Sequence, residues 1–187
     1  QSAADAGVYT LAAADTAHGV AGAVVYDADY VRTFTGYTFA PDAEKQGTVA
    51  SGLVLKLYYT INLHDVTYKY EGTVPDGATD LTSYQKTDVP YNTTVTVGKD
   101  ATAPGYIFSG WTLVDPVATP VVNGQFTMPD ADVTLVGSFE ARANNKYTVE
   151  YYWQNTTGDG FTLHETDVYH NGTTGATVHA LEKTYTG

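Results

Sequence analysis

Cysteine is absent from all 187 residues, which removes disulfides, thiolate nucleophiles and thiolate metal sites together. Basic side chains are scarce as well. Nine Lys and Arg stand against 21 Asp and Glu, for a formal charge of −12. So few cations argue against nucleic acid or an anionic membrane surface as partners, since both attract Lys and Arg. No apolar run approaches the ~20 residues of a membrane span, so no membrane insertion is expected in this segment. No basic-then-apolar leader opens the chain, and the segment is expected to be mature or internal. Lack of cysteine suits an exported protein that does without disulfide staples.

Catalytic signatures are missing too. The five serines are scattered and none lies in a Gly-x-Ser-x-Gly elbow. Phosphate loops and paired zinc-binding histidines are absent. The chain is expected not to be an enzyme.

What is plentiful is Thr, Tyr, Val and Gly, with 16 Tyr and 18 Gly among the 187 residues. β-Branched and aromatic side chains suit a pleated, half-buried surface, and the 43% apolar share can build real cores. Good helix formers gather only at Ala12–Ala14 and near Ala40–Gln46. Period-two alternation predicts strands at Val54–Thr60, Val66–Tyr70, Thr93–Val97, Tyr106–Trp111, Val133–Phe139, Lys146–Trp153, Phe161–Val168 and Ala176–Ala180. "PDGA", "VPYN", "APG", "VNGQ", "MPDAD" and "TGDG" separate them as turns, and "DLTSYQK" at 80–86 is expected to form at most a short helix. The fold class predicted is mainly β, α+β at most.

Self-similarity organises the pattern. "VTYKY" at 66–70 matches "VEYYW" at 149–153, and "VPYNTTVTV" at 89–97 matches "VYHNGTTGATV" at 168–178. "GY" at 105 falls 82 positions before Gly187, and "TFTG" at 33–36 echoes "TYTG" at 184–187. A unit of about 82 residues therefore repeats. The chain divides into the later part of one unit (1–62), a complete unit (63–143) and the opening part of a further one (144–187). The partial end units are expected to come from a window on a longer tandem array; strand exchange between chains is the alternative.

"PGYIFSGW" at 104–111 carries the aromatic corner of the complete unit. Gly105 permits a backbone conformation costly to other residues, and Pro104 fixes the approach to it. Tyr106 and Phe108 share a strand face. Trp111 has the opposite parity unless Gly110 makes a bulge. Such a cluster could anchor the core of a small domain.

The stretch "VPYNTTVTV…APGYIFSGWT…GQFTMPDADVTLVGSFEA" resembles the Listeria–Bacteroides, or internalin B-repeat, module. "YTVEYYWQNTTGDGFTLHETDVYHNGTTGATV…KTYTG" resembles the MucBP (mucin-binding protein) repeat. Departures are Asn92 where Gly is usual and a final strand ending "SFEA". The resemblance implies β-grasp-like (ubiquitin-like) modules strung in tandem as an elongated rod. Their setting would be an extracellular, cell-wall-anchored adhesin of a Gram-positive bacterium, with the anchor outside this segment. It implies no catalytic residue. The function expected is a non-catalytic stalk that projects a binding tip, each unit contacting neighbouring repeats of the same chain. Alternatives are a module that binds host glycan, mucin or a host surface protein, and a strand-exchanged extracellular fibre subunit that self-assembles.

Residue candidates follow. Tyr58, Tyr59, Tyr91, Tyr152 and Trp153 are the aromatics expected to stack on sugar if the chain binds glycan. His164, Asp167 and His170, with Glu165 beside them, form the richest polar cluster, and strand parity would let both histidines face a metal. A solvated strand face explains the same residues. Structural calcium is the better guess for an acidic extracellular protein, although "DADY" (27–30) and "PDADV" (129–133) lack a longer ligand series; no other cofactor is expected. Lys56, inside "LVLKLYY", is the candidate for an isopeptide crosslink or an exposed sheet edge. Asn92, Asn155 and Asn171 head Asn-x-Thr sequons expected in turns.

Overall fold

A computed structural model describes residues 10–40 and 46–185. Strands dominate, and the fold is mainly β. In the first part of the chain β1 (Val24–Tyr26) pairs with β3 (Gln46–Thr48), and β2 (Tyr37–Ala40) with β4 (Tyr58–Ile61). Next come β5 (Leu63–Tyr70), β6 (Lys86–Pro90) and β7 (Thr94–Thr96), then β8 (Tyr106–Phe108) and β9 (Thr112–Asp115). β10 (Gln125–Thr127), β11 (Val133–Gly137) and β12 (Phe139–Ala141) follow. A long hairpin, β13 (Asn145–Gln154) and β14 (Phe161–Gly172), comes last. One sheet has four strands in the order β6-β5-β11-β9; the other pairs are β7 with β10, β8 with β12 and β13 with β14.

Contacts divide the chain into two compact units. The first comprises the described residues of Gln1–Lys69, Leu81–Gly98 and Thr112–Val136; the second comprises those of Tyr70–Asp80, Lys99–Trp111 and Gly137–Gly187. The stretch 63–143, expected from the sequence to be one complete repeat, contributes to both.

The first unit has the denser core. Val66 and Tyr68 of β5 interleave in sequence with exposed neighbours, and only the alternate face is buried, at 1% and 2% exposure. Val133 and Leu135 of β11, Met128, Phe126 and Val95 complete it. Each Å² of apolar surface taken out of water is worth about 25 cal/mol, so burying these side chains stabilises the unit. Tyr68 keeps its hydroxyl satisfied by accepting the Gly98 amide at 2.8 Å; burial is the main cause that pushes its pKa up. In the second unit Tyr70, Phe108, Trp111 and Phe139 form an aromatic cluster, with ring centroids 4.8–6.4 Å apart in mostly edge or tilted arrangements.

Strand pairings recur. Tyr37 lies opposite Ile61 and Phe39 opposite Tyr59 in one pair; Tyr106 lies opposite Ala141 and Phe108 opposite Phe139 in the other. Leu63 pairs with Pro90 and Asn145 with Gly172, both partners displaced by 82 positions.

Several expected elements differ. Residues 54–57 are not strand, because β4 begins only at Tyr58. Ala176–Ala180 is not strand, and 80–85 holds a single turn, closed by the Tyr84 amide on the Leu81 carbonyl at 3.0 Å, before β6 begins at Lys86. Ala12–Ala14 is irregular; 41–45, within the other helix-forming run, lie outside the described residues.

Candidate functional site

Two points in the chain use the same backbone device. In the first unit Gly36 adopts φ +75°. Its carbonyl accepts the Asn62 amide at 2.8 Å, and the Asn62 carbonyl accepts the Tyr91 amide at 2.9 Å. In the second unit the Gly105 carbonyl accepts the Arg142 amide at 2.9 Å, and the Arg142 carbonyl accepts the Thr174 amide at 3.0 Å. Each relay ties a Gly-Tyr strand, through a single residue, to the loop that follows a hairpin, β5–β6 in the first case and β13–β14 in the second. Each glycine also faces a side chain from that loop. A Cβ at position 36 would overlap the Tyr91 ring, and one at 105 would sit 2.8 Å from Thr174 Cγ2. Positive φ and close approach together call for glycine at these points.

Side chains reinforce both joints. Asp130 Oδ2 accepts the Gly36 amide at 2.8 Å; its Oδ1 accepts Asn62 Nδ2 at 2.7 Å and lies 3.0 Å from His64 Nε2. These bonds, the Asn62 amide first, hold the Asp130 carboxyl below its usual range. His64 Nδ1 lies 3.6 Å from Asp132, whose Oδ1 accepts the Asp65 amide at 2.9 Å. In the second joint Asn145 Nδ2 donates to the Arg142 carbonyl at 2.8 Å and to Thr174 Oγ1 at 2.9 Å. Asn62, Arg142 and Thr174 are not singled out by the sequence, and Asp130 is read there only within the weak cation candidate "PDADV". Arg142 acts through its backbone atoms, which leave no side-chain signal.

The five candidate sugar-stacking aromatics do not come together. Tyr59 is half-buried between Phe34 and Phe39, with centroids at 4.9 and 5.6 Å, and its hydroxyl accepts the Arg32 amide at 2.8 Å. Tyr58 is half-buried in β4, opposite Ala40. Tyr91 belongs to the joint. Tyr152 and Trp153, each 51% exposed, lie on the β13–β14 hairpin. Tyr152 pairs opposite Leu163 and donates to Glu150 at 2.6 Å; that bond pushes its pKa up. Trp153 stacks on His164 at 3.6 Å and meets Tyr185 edge-on at 5.7 Å. Phe161, 69% exposed, extends the apolar surface.

In the corner itself, Pro104 approaches Gly77, Tyr106 begins β8, and Phe108 packs on Trp111 at 4.8 Å. Gly110 takes φ +83° and ends the alternation, so Trp111 turns onto the side of Phe108 and Tyr70. Its indole N–H donates to the Lys99 carbonyl at 2.8 Å.

The polar cluster divides. Tyr151 pairs with Glu165 and Tyr152 with Leu163, so His164 is an extra residue in a bulge, and a second register shift follows between Asn145 and Tyr147. Simple alternation from His164 to His170 is broken. Asp167 is instead ion-paired with Lys183 at 2.6 Å, and Glu165 with the same Nζ at 2.8 Å. Lys183 lies 4.4 Å from the Tyr151 ring centre, and Tyr185 donates to Glu165 at 2.9 Å. The Lys183 bonds hold both carboxyls below their usual range, and the two carboxylates, Asp167 first, raise the lysine's pKa. Among the described residues no three His, Asp or Glu side chains are placed to hold a metal ion. "DADY" forms a 3-10 turn in which the buried Asp27 accepts the Ala28 amide at 2.7 Å, and Asp130 of "PDADV" is committed to the joint. Lys56 is exposed outside any strand. Asn92 and Asn155 are exposed in or beside turns, whereas Asn171 lies within β14, not in the turn expected. A shallow depression lined by Ile107, Phe108, Ser109, Ser138 and Glu140 gathers one carboxylate and no base.

No known protein-family model, curated protein or solved structure matches the chain.

Proposed function

We propose that this chain is a non-catalytic stalk segment of a bacterial cell-surface adhesin, built from tandem β-grasp-like repeats that extend as a rod and carry a binding tip outward. The recurrence of one backbone relay, Gly36–Asn62–Tyr91 and Gly105–Arg142–Thr174, is the observation that supports it. A joint built from main-chain bonds, with glycine receiving a side chain of the next repeat, limits hinge motion whatever the surface residues are. Reach then grows with repeat number. The charge of −12 would keep neighbouring stalks apart in an extracellular, wall-anchored setting.

Small-angle scattering of the full chain tests this. A compact 187-residue globule has a radius of gyration of about 16 Å; the stalk requires a clearly larger value and an elongated distance distribution. A value near that of the globule sinks it.

The exposed Tyr152, Trp153, Phe161 and Leu163 favour a second reading, binding of host glycan or mucin by aromatic stacking. A glycan array that shows binding by the full chain, lost in Trp153→Ala with Tyr152→Ala, would select it over a purely spacing role.

A further inference from the structure

Near the start of β5 the His64 ring is held between two acids, with its side chain 16% accessible. Nε2 lies 3.0 Å from Asp130 Oδ1, and Nδ1 lies 3.6 Å from Asp132 Oδ1. Main-chain amides fix both carboxylates in advance. Asp130 Oδ2 accepts the Gly36 amide at 2.8 Å, and Asp132 Oδ1 accepts the Asp65 amide at 2.9 Å. The neighbouring charged groups are acidic as well: Asp65, next along β5, accepts the amide of Asp88 in β6 at 3.2 Å. Gly36 and Asn62 bring no charge, and among the described residues no Lys or Arg is ion-paired with any of these four carboxylates. A neutral imidazole has one N–H to give, so its other nitrogen turns a lone pair toward a carboxylate; an imidazolium has two, one for each acid. Imidazole changes charge between about pH 5 and pH 8. The second joint supplies the contrast. It is held by main-chain atoms, the Asn145 amide and the Thr174 hydroxyl, none of which titrates in that range.

We propose that His64 is a proton-operated clamp on the Gly36 joint: on taking up a proton its ring binds Asp130 and Asp132 together and draws residues 129–132 against β5 and Gly36. The proton comes from solvent to whichever ring nitrogen lacks one, and no covalent bond between heavy atoms changes. Asp130 carries the effect to the backbone, because the carboxylate that meets Nε2 also holds the Gly36 amide and Asn62 Nδ2. A base whose charged form is the better bonded in the fold adds stability on the acid side of its titration and loses it as pH rises. Below about pH 5 the carboxylates themselves begin to take up protons, so the joint is firmest in mildly acidic solution. The proposal needs only the first joint and does not rest on the stalk reading.

Amide hydrogen exchange of the full chain, read by NMR and corrected for the intrinsic effect of pH, tests it residue by residue. From about pH 7.5 to about pH 5.5 the protection of the Gly36, Asn62 and Tyr91 amides should rise about threefold, the size expected of a part-exposed charge pair. The Arg142 and Thr174 amides of the second joint should stay level over the same range. His64→Gln keeps a donor for Asp130 but cannot take a charge, and its first joint should show no rise. Asp132→Asn keeps an acceptor for the Asp65 amide but removes the second carboxylate, and should cut the rise by at least about half. If His64→Gln unfolds the first unit, seen as lost protection at Val66 and Tyr68, the Asp132→Asn result decides. A flat first joint in the parent protein overturns the proposal, and so does an equal rise in both joints. A rise that persists in His64→Gln, or is undiminished in Asp132→Asn, overturns it as well, since the proton would then act elsewhere or through Asp130 alone.

Discussion

Tyr91 lies against Gly36 so closely that no side chain fits between them, and Gly36 holds φ +75° to allow it. Position 36 is therefore constrained twice over. An L-residue at positive φ costs roughly 1–2 kcal/mol, and forcing a methyl group into a filled space adds about 1–3 kcal/mol. Gly36→Ala should destabilise the first unit by about 2–4 kcal/mol. Gly52 has φ +82° with open space around it, so Gly52→Ala should cost only about 1–2 kcal/mol. Urea unfolding of the two variants checks the contrast; equal midpoints would mean that Tyr91 moves aside freely and the joint is loose.

Asp130 makes the same joint sensitive to acid. Its carboxylate accepts from Asn62, the Gly36 amide and His64, so its folded pKa lies below the unfolded value. A depressed carboxyl stabilises the fold at pH above its unfolded pKa, and that contribution disappears as pH falls through the folded one. The first unit should lose stability on acidification from about pH 5 downward, in the range where unfolded carboxyls titrate. Asp130→Asn should lower the neutral-pH midpoint, because its amide presents a donor to at least one of three donors, and should flatten the acid limb. A variant with the wild-type acid limb would place the sensitivity elsewhere, for instance at Asp132.

Strands with sustained alternation are legible in the residue pattern alone. Val66 and Tyr68, and Val133 and Leu135, announce buried faces by period, whereas the run from Tyr147 to Trp153 announces a strand whose alternate face is only half-buried and ends in an exposed Trp153. β2, β3, β9 and β10 have three or four residues each, too few to establish a period, so the pattern passes over them. Val54–Leu57 shows the converse, an apolar run that the fold leaves outside a strand. Gly105 is legible as a conformational point, but its partner Thr174 is not, because the contact depends on where the loop after β14 arrives. In sequence Asp130 reads as a weak cation ligand. Its work on two amides and a histidine appears only when Gly36, Asn62 and His64 converge on it.

Lys183 carries the last prediction. Its Nζ meets Glu165 and Asp167, and Tyr151 donates to the Leu181 carbonyl at 3.3 Å, so residues 181–185 are drawn onto one face of the hairpin. The lysine's pKa is raised, so its share of this tether is complete below the unfolded lysine value and fades only as pH climbs through the higher folded one. Both carboxyls have lowered values, so theirs fades as pH falls through the acid range. The tether should hold across neutral pH and weaken at both extremes. It should also weaken with salt, because the pair is part-exposed, with side chains 26–40% accessible, and the screening length shrinks to about 3 Å at 1 M. Lys183→Met keeps the stem over Tyr151 but removes the charge. Amide exchange in 178–185 should then rise severalfold at neutral pH and lose its salt dependence, while exchange in 63–69 stays unchanged. Exchange in 178–185 that matches the parent protein at low salt would show that the aromatic contacts of Tyr185 alone hold the segment down.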